Sequence, residues 1–262
     1  IDRHSQSDND NGFLTNFDVN VDMFKTKPVS LNVYARRFDG RVPRRFLPSL
    51  KEWTTETGVS ALITAGAFTS EVGFSWHEIQ REGNRLNEDD EDYTNTRFWT
   101  DNKWQISQTQ KLRFLYEHEH DDSTYQGSLH EFQTQRDEAR VEHELLFGKD
   151  AKNRLDTFFR YNAEKGDLAR DELELVPRLT LQHTDTFKTI HRYSLYQWDQ
   201  GAIKITQNKF DTQAVWTPTD KFRLTADGYG MHERVENDID LTEIGGNIDG
   251  AYHQPTSLGE LS

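Results

Sequence analysis

From residue 13 onward, apolar and polar positions alternate with a period of two. Phe13, Thr15, Phe17, Val19, Val21 and Met23 alternate with Leu14, Asn16, Asp18, Asn20 and Asp22. After Lys25-Thr26-Lys27-Pro28, Val29, Leu31, Val33 and Ala35 alternate with Ser30, Asn32, Tyr34 and Arg36. This period places each set on one side of a β-strand. The proline-bearing tetrapeptide between them reads as a tight turn. The first hairpin therefore has one apolar and one polar side.

The unit recurs. Thr57, Val59, Ala61 and Ile63 pair with Phe68 to Trp76 around 64–67. Phe98 to Ile106 pairs with Leu112 to His118 around 107–110, and Ala139 to Phe147 with Leu155 to Tyr161 around 148–153. Leu173 to Leu181 pairs with Phe187 to Leu195 around 184–186, and Phe210 to Trp216 with Phe222 to Ala226 around 217–220. A thirteenth strand covers Ile244 to Tyr252. Pro177 lies inside one strand and removes a ladder donor, which predicts a bulge or weak pairing there. The remaining connections read as longer and more polar: 39–52, 80–95, 120–136, 164–171, 199–208 and 234–243. Because strand direction alternates, all of these lie at one end.

The predicted fold is all-β: an antiparallel meander of about 13 strands, part of a transmembrane β-barrel. A soluble sandwich would bury the apolar sides against a second sheet. A membrane barrel would turn them to lipid and the charged sides to a wet lumen, with short turns at one end and long loops at the other. The alternation of connections favours the barrel. Thirteen is an odd number, and open edges within lipid are costly. Residues 1–262 thus read as a single β-barrel domain excerpted from a longer chain, or completed by another one.

Composition changes this picture in three ways. There is no cysteine, so disulfides and thiolate metal sites are excluded. A net charge of −14 argues against nucleic acid as a partner. No stretch approaches the roughly 20 apolar residues a spanning helix needs, and a mean hydropathy of −0.90 counts against lipid contact. A spanning strand needs only about 10 residues, half of them apolar.

Candidate chemistry is sparse. The polar sides carry Arg36, Arg140, Glu142, Glu144, Arg154, Asp156, Arg160, Glu172, Glu174, Arg178, Arg192, Asp211, Arg223 and Asp227, which would line a lumen as cross-strand ion pairs. On a soluble sheet the same residues would be a solvated face. Aromatics gather near strand ends: Trp53, Trp76, Phe98, Trp104, Phe147, Tyr161, Phe187, Trp216 and Phe222. Interface girdles would place them so, and ordinary β-propensity also favours them. The run Glu88 to Asp92 lacks calcium-loop spacing and reads as a solvated acidic loop. His118 and His120 share a strand face, but Glu117 and Glu119 point away, so no metal site is assigned. No nucleophile elbow, zinc-protease helix or phosphate-binding glycine loop is present. No enzyme activity, cofactor or metal is therefore expected.

The hairpin pattern resembles large porin-like outer-membrane β-barrels of Gram-negative bacteria. Arg44-Arg45-Phe46-Leu47-Pro48-Ser49-Leu50 followed by Glu56 to Ile63 looks like a loop-to-strand junction of that type. So does Gly166-Asp167-Leu168-Ala169-Arg170-Asp171 before Leu179 to Thr184. The resemblance implies a barrel in the bacterial outer membrane and carries over no catalytic residue. The expected function is a porin-like channel or the shell of an envelope assembly. Its partners would be outer-membrane lipid, small hydrophilic solutes or ions, and envelope proteins. The alternative is a secreted or surface β-rich binding or assembly module without lipid contact. A third reading, a barrel enzyme or a barrel around an electron-transfer partner, lacks residues to carry it.

Overall fold

The computed structural model describes residues 16–42, 50–82, 90–125, 130–166, 169–236, 239–252, 254–256 and 259–261. β1 (Phe17–Met23) and β2 (Val29–Val42) form the first hairpin, and β3 (Leu50–Ala65) and β4 (Phe68–Glu82) the second. β5 (Glu91–Ser107) pairs with β6 (Gln110–Tyr125), and β7 (His130–Phe147) with β8 (Asn153–Gly166). β9 (Arg170–Gln182) is followed by β10 (Phe187–Gln200), β11 (Ile203–Thr219), β12 (Phe222–Val235) and β13 (Ile239–Tyr252). These form one 13-stranded antiparallel sheet in strict sequence order. Among the described residues its two edges, β1 and β13, are not paired with each other. β14 (Gln254–Thr256) and β15 (Gly259–Leu261) form a separate two-stranded pairing.

The turns at the first end fall where the sequence predicts them, except the sixth: β11 continues through 217–219 past a register shift and turns at 220–221. Lys27 N–H donates to Phe24 O at 2.8 Å and closes the 24–28 connection. At 66–67, Gly66 takes φ +58, which glycine adopts without steric cost. Pro177 leaves a gap in the β9–β10 ladder. Pairing runs from Arg192↔Arg178 to Leu195↔Leu175 with nothing between, and the register is unchanged on either side. The proline thus weakens pairing without a bulge.

The other end differs from expectation. The stretches read as long connections are largely strand. β10 and β11 are joined only by 201–202, with Gly201 at φ +61, whereas a connection over 199–208 was expected. β3 begins at Leu50 and β7 at His130, both inside predicted loops. The apolar side turns polar there while the backbone continues, so the hydrophobic pattern fades before the strand ends. Residues 43–49, 83–89, 126–129 and 167–168 lie outside the described residues, and with them all of Arg44 to Ser49, Asp167 and Leu168, and the acidic residues Glu88 and Asp89.

Register gives the sheet its tilt. Successive Cα partners run Val29, Ile63, Ser70, Asn102, Phe114, Val141, Phe159, Leu175. The row then reaches Leu195, Asn208, His232 and Thr242. Val29 opens β2 at the turn end, whereas Thr242 lies far along β13 from Tyr252. With about 3.3 Å per residue and 4.8 Å between strands, this climb corresponds to a strand tilt of roughly 30°.

The sheet is curled. Thr69 on β4 and Tyr229 on β12 line one cavity. In a flat sheet strands that far apart would be about 38 Å from one another. Three rungs of the inner face pair an aromatic ring with glycine: Tyr34↔Gly58, Trp99↔Gly73 and Tyr229↔Gly245. A Cβ on Gly58 would come within 2.6 Å of the Tyr34 ring, and one on Gly73 would collide with Trp99. The rings lie where those side chains would be, which holds register on a glycine-bearing rung.

No conventional core exists among the described residues. Leu50, Ala163 and Val215 are the buried hydrophobics, whereas Val19, Val59, Phe74, Trp104, Phe210 and Ile248 are among the many large apolar side chains left exposed. All six point to the convex face.

Candidate functional site

Partners in an antiparallel ladder point to the same side. The row Glu144↔Asp156↔Arg178↔Arg192↔Asp211 therefore lies on one face. So does Arg140↔Arg160↔Glu174. Glu142, Arg154, Glu172, Asp227 and Arg223 alternate onto that face along their strands, and Arg36 joins it opposite Glu56. The structure thus places all fourteen proposed lumen residues on the concave side.

They divide into two zones. Near the turn end a cavity of about 1290 Å³ opens on the concave face. Six cations line it: Lys103, Lys111, Arg113, Arg154, Arg178 and Arg192. Five carboxylates join them: Glu142, Glu144, Asp156, Asp211 and Asp227. Lys103, Lys111, Arg113 and Gln213 were not among the sequence-chosen set. Their alternation with Trp104 and Leu112 was the available signal. Arg36, Arg140, Arg160, Glu172, Glu174 and Arg223 lie outside this cavity.

Ion pairing within the cavity is uneven. Arg113 Nε donates to Asp101 at 2.8 Å, and Arg154 donates to Asp156 at 2.7 Å and to Glu144 at 3.0 Å. Arg192 is 3.0 Å from Asp211, which Lys209 also reaches at 3.0 Å. Arg178 has no hydrogen bond or ion pair among the described residues and is exposed to the cavity. Its register partner on β8, Asp156, is held by Arg154, and its partner on β10 is another cation, Arg192.

Further from the turns the inner face is tightly paired. Glu138, 8% exposed, accepts from Arg136 at 2.8 Å and from Arg140 at 2.6 Å. Arg160 donates to Glu172 at 2.7 Å, and Arg36 lies 2.7 Å from Glu56. Buried Asn95 donates to Glu119 and Asp121, both at 2.7 Å. Such pairs compensate the desolvation of closely packed charges.

The convex face has its own zones. Counted from the turns, most outward positions are apolar over four or five alternate residues: Val29, Leu31, Val33, Ala35 on β2; Phe68, Val72, Phe74, Trp76 on β4, interrupted by Ser70; Leu181, Leu179, Leu175, Leu173 on β9, either side of Pro177; on β5, Asn102 and Thr100 interrupt the run. Arg37, Glu78 and Asp171 then begin a polar stretch. Eight to ten residues of tilted strand give a band of about 25 Å, the height of the lipid-facing belt of a membrane barrel. Most polar groups inside the band find partners. Ser70 Oγ donates to Asn102 Oδ1 at 2.6 Å, and His191 meets Thr212 at 2.9 Å and Thr189 at 3.2 Å. Beyond the band, His118 Nδ1 meets Asp137 at 2.7 Å and His120 lies 3.0 Å from Asp122. The two histidines thus engage different carboxylates, and among the described residues no three ligating groups converge on a metal site.

No family model and no curated protein matches the chain. Among solved structures it is similar to CdiB from Acinetobacter baumannii at 10% identity and a TM-score of 0.41, over 91% of this chain and 54% of that one. It therefore spans about half the length of CdiB. A FadL homologue of Pseudomonas aeruginosa aligns at 8% identity and a TM-score of 0.33, over 85% of this chain and 72% of the other. The translocator domain of the autotransporter NalP from Neisseria meningitidis aligns at 7% identity and a TM-score of 0.29, over 86% of this chain and 88% of that one. At these scores the likeness decides nothing about function.

Proposed function

We propose that the chain forms the wall of a bacterial outer-membrane β-barrel. Its charged concave face lines a wet passage for small hydrophilic solutes or ions. It acts without enzymatic chemistry, and outer-membrane lipid covers the apolar band. The observation that carries this reading is the convex face: a partly exposed apolar belt of membrane height that stops at a similar distance from the turns on β2, β4 and β9. A surface β-module without lipid contact would have no use for such a belt.

Arms beyond the belt are short at the turn end and long at the other. In outer-membrane barrels the shorter connections face the periplasm. Cysteine at Asp90 should therefore react with an impermeant label on intact cells, and cysteine at Gln108 should not. Labelling of Gln108 alone would invert the orientation.

The channel reading is tested by planar-bilayer conductance of the purified protein. The Arg154→Glu, Arg160→Glu double variant should shift selectivity toward cations, more at low salt than at high salt, because screening shortens the reach of these charges. A correctly folded protein that passes no current would reject the open channel and favour a plugged or scaffolding barrel. Extraction without detergent would favour the alternative, a surface binding or assembly module.

A further inference from the structure

The cavity at the turn end combines an unneutralised cation with an apolar floor. Arg178 lacks a counter-ion among the described residues, and Arg192 stands directly across the ladder from it. Like charges placed opposite each other destabilise a sheet unless an anion lies between them. Arg192 spends Nε and Nη2 on Asp211, at 3.2 and 3.0 Å, and keeps Nη1 free. All five N–H donors of Arg178 are free. The cavity lining carries one more cation than carboxylate, although the chain as a whole is at −14.

Beside these guanidinium groups the inner face is apolar. Phe158 and Val176 are direct cross-strand partners, and Val176 is two residues from Arg178 on the same side of β9. Ile190 is two residues from Arg192 on the same side of β10. All three line the cavity and are half-buried. A lumen adapted only to water and inorganic ions has no need of an apolar surface beside its free cation. We propose that this cavity binds small organic anions, a carboxylate on an aromatic or short alkyl group. Arg178 and Arg192 hold the carboxylate, and Phe158, Val176 and Ile190 take the apolar part.

The proposal deepens the channel reading, resting on its claim that the concave face is wet, but it is read by binding rather than by current. The probe is 4-fluorobenzoate, followed by fluorine NMR line broadening on the full chain in an amphipathic polymer. Benzoate should displace it, while acetate and benzyltrimethylammonium should not. Arg178→Gln removes a side chain without a partner, so the fold should survive, and affinity should fall about tenfold or more, as for loss of a charge-assisted hydrogen bond. Arg223→Gln is the control: it is also concave, exposed and without an ion pair among the described residues, but lies outside the cavity. It should bind as the parent does. Unchanged binding in Arg178→Gln, equal loss in Arg223→Gln, or equal competition by acetate would each overturn the proposal. Binding in a protein that passes no current would uphold the site and reject the open channel. Current without binding would do the reverse.

Discussion

The two halves of the convex face follow different rules on the same strands. Near the turns it presents Val33, Val59, Phe74 and Phe98, in a direct cross-strand row. Four residues further out, the corresponding row is Arg37, Thr55, Glu78 and Thr94. The concave face does not change in this way: it carries charges in both halves, with the apolar floor of Phe158, Val176 and Ile190 set among them near the turns. Backbone hydrogen bonding is equally regular in both halves, so the ladder does not distinguish them. In the proposed barrel, the difference lies in the medium each half meets. It also accounts for the very polar mean hydropathy, because only one side of the inner half of each strand must be apolar.

The largest effect should come from placing a charge in each half. Val59→Arg should cost about 2–4 kcal/mol in unfolding from phospholipid vesicles, whereas Thr55→Arg, beyond the belt, should cost about 0–1 kcal/mol. Ser60→Arg, on the concave side, should resemble Thr55→Arg. Equal tolerance at Val59 and Thr55 would erase the contrast and, with it, the lipid-facing belt.

Glycines sharpen the comparison of the two faces. On the concave side a Cβ at Gly73 collides with the Trp99 ring, whereas convex Gly230 has nothing within 4 Å of an added Cβ. Gly73→Ala should destabilise by about 1–3 kcal/mol, the usual range for overpacking. Gly230→Ala should be neutral or slightly stabilising. Near-ultraviolet circular dichroism of Trp99 should change in the first variant only. Equal stabilities would mean that the ring moves aside freely.

Much of this was legible in the sequence, for a definite reason. Period-two alternation reports strands wherever the two sides meet different media, so the thirteen strands and the turns at 24–28 and 66–67 could be read directly. The outer halves could not. Around His118, Asp137 and Asn208 both sides are polar, alternation vanishes, and continuing strand looks like loop. The inner set was legible as a face but not as a site. That Asp156 is taken by Arg154, leaving Arg178 alone, depends on side-chain geometry across the ladder. The pairing of Trp99 with Gly73 likewise depends on register, which pattern alone does not supply.

The smallest effect concerns the turn end itself. Lys152 Nζ lies 2.8 Å from Asp185, joining the β7–β8 and β9–β10 connections. The hydrogen bond from Lys152 holds the Asp185 carboxyl below the usual carboxylate range, and Asp185 raises the Lys152 ammonium above its usual value. A carboxyl whose pKa is lowered on folding stabilises above its unfolded pKa and loses that contribution as pH falls through the folded one. A raised lysine stabilises below its unfolded pKa and loses the contribution as pH rises through the folded one. The bridge is therefore at full strength between the two ordinary ranges and fades on both sides. Both groups are solvent-exposed, so the effect is screened. Asp185→Asn should lower stability slightly at neutral pH and low salt, and the difference from the parent should shrink below the carboxylate range and again in about 1 M salt, where the Debye length is about 3 Å. A difference that persists unchanged at acidic pH and high salt would show that Asp185 acts through turn geometry rather than charge.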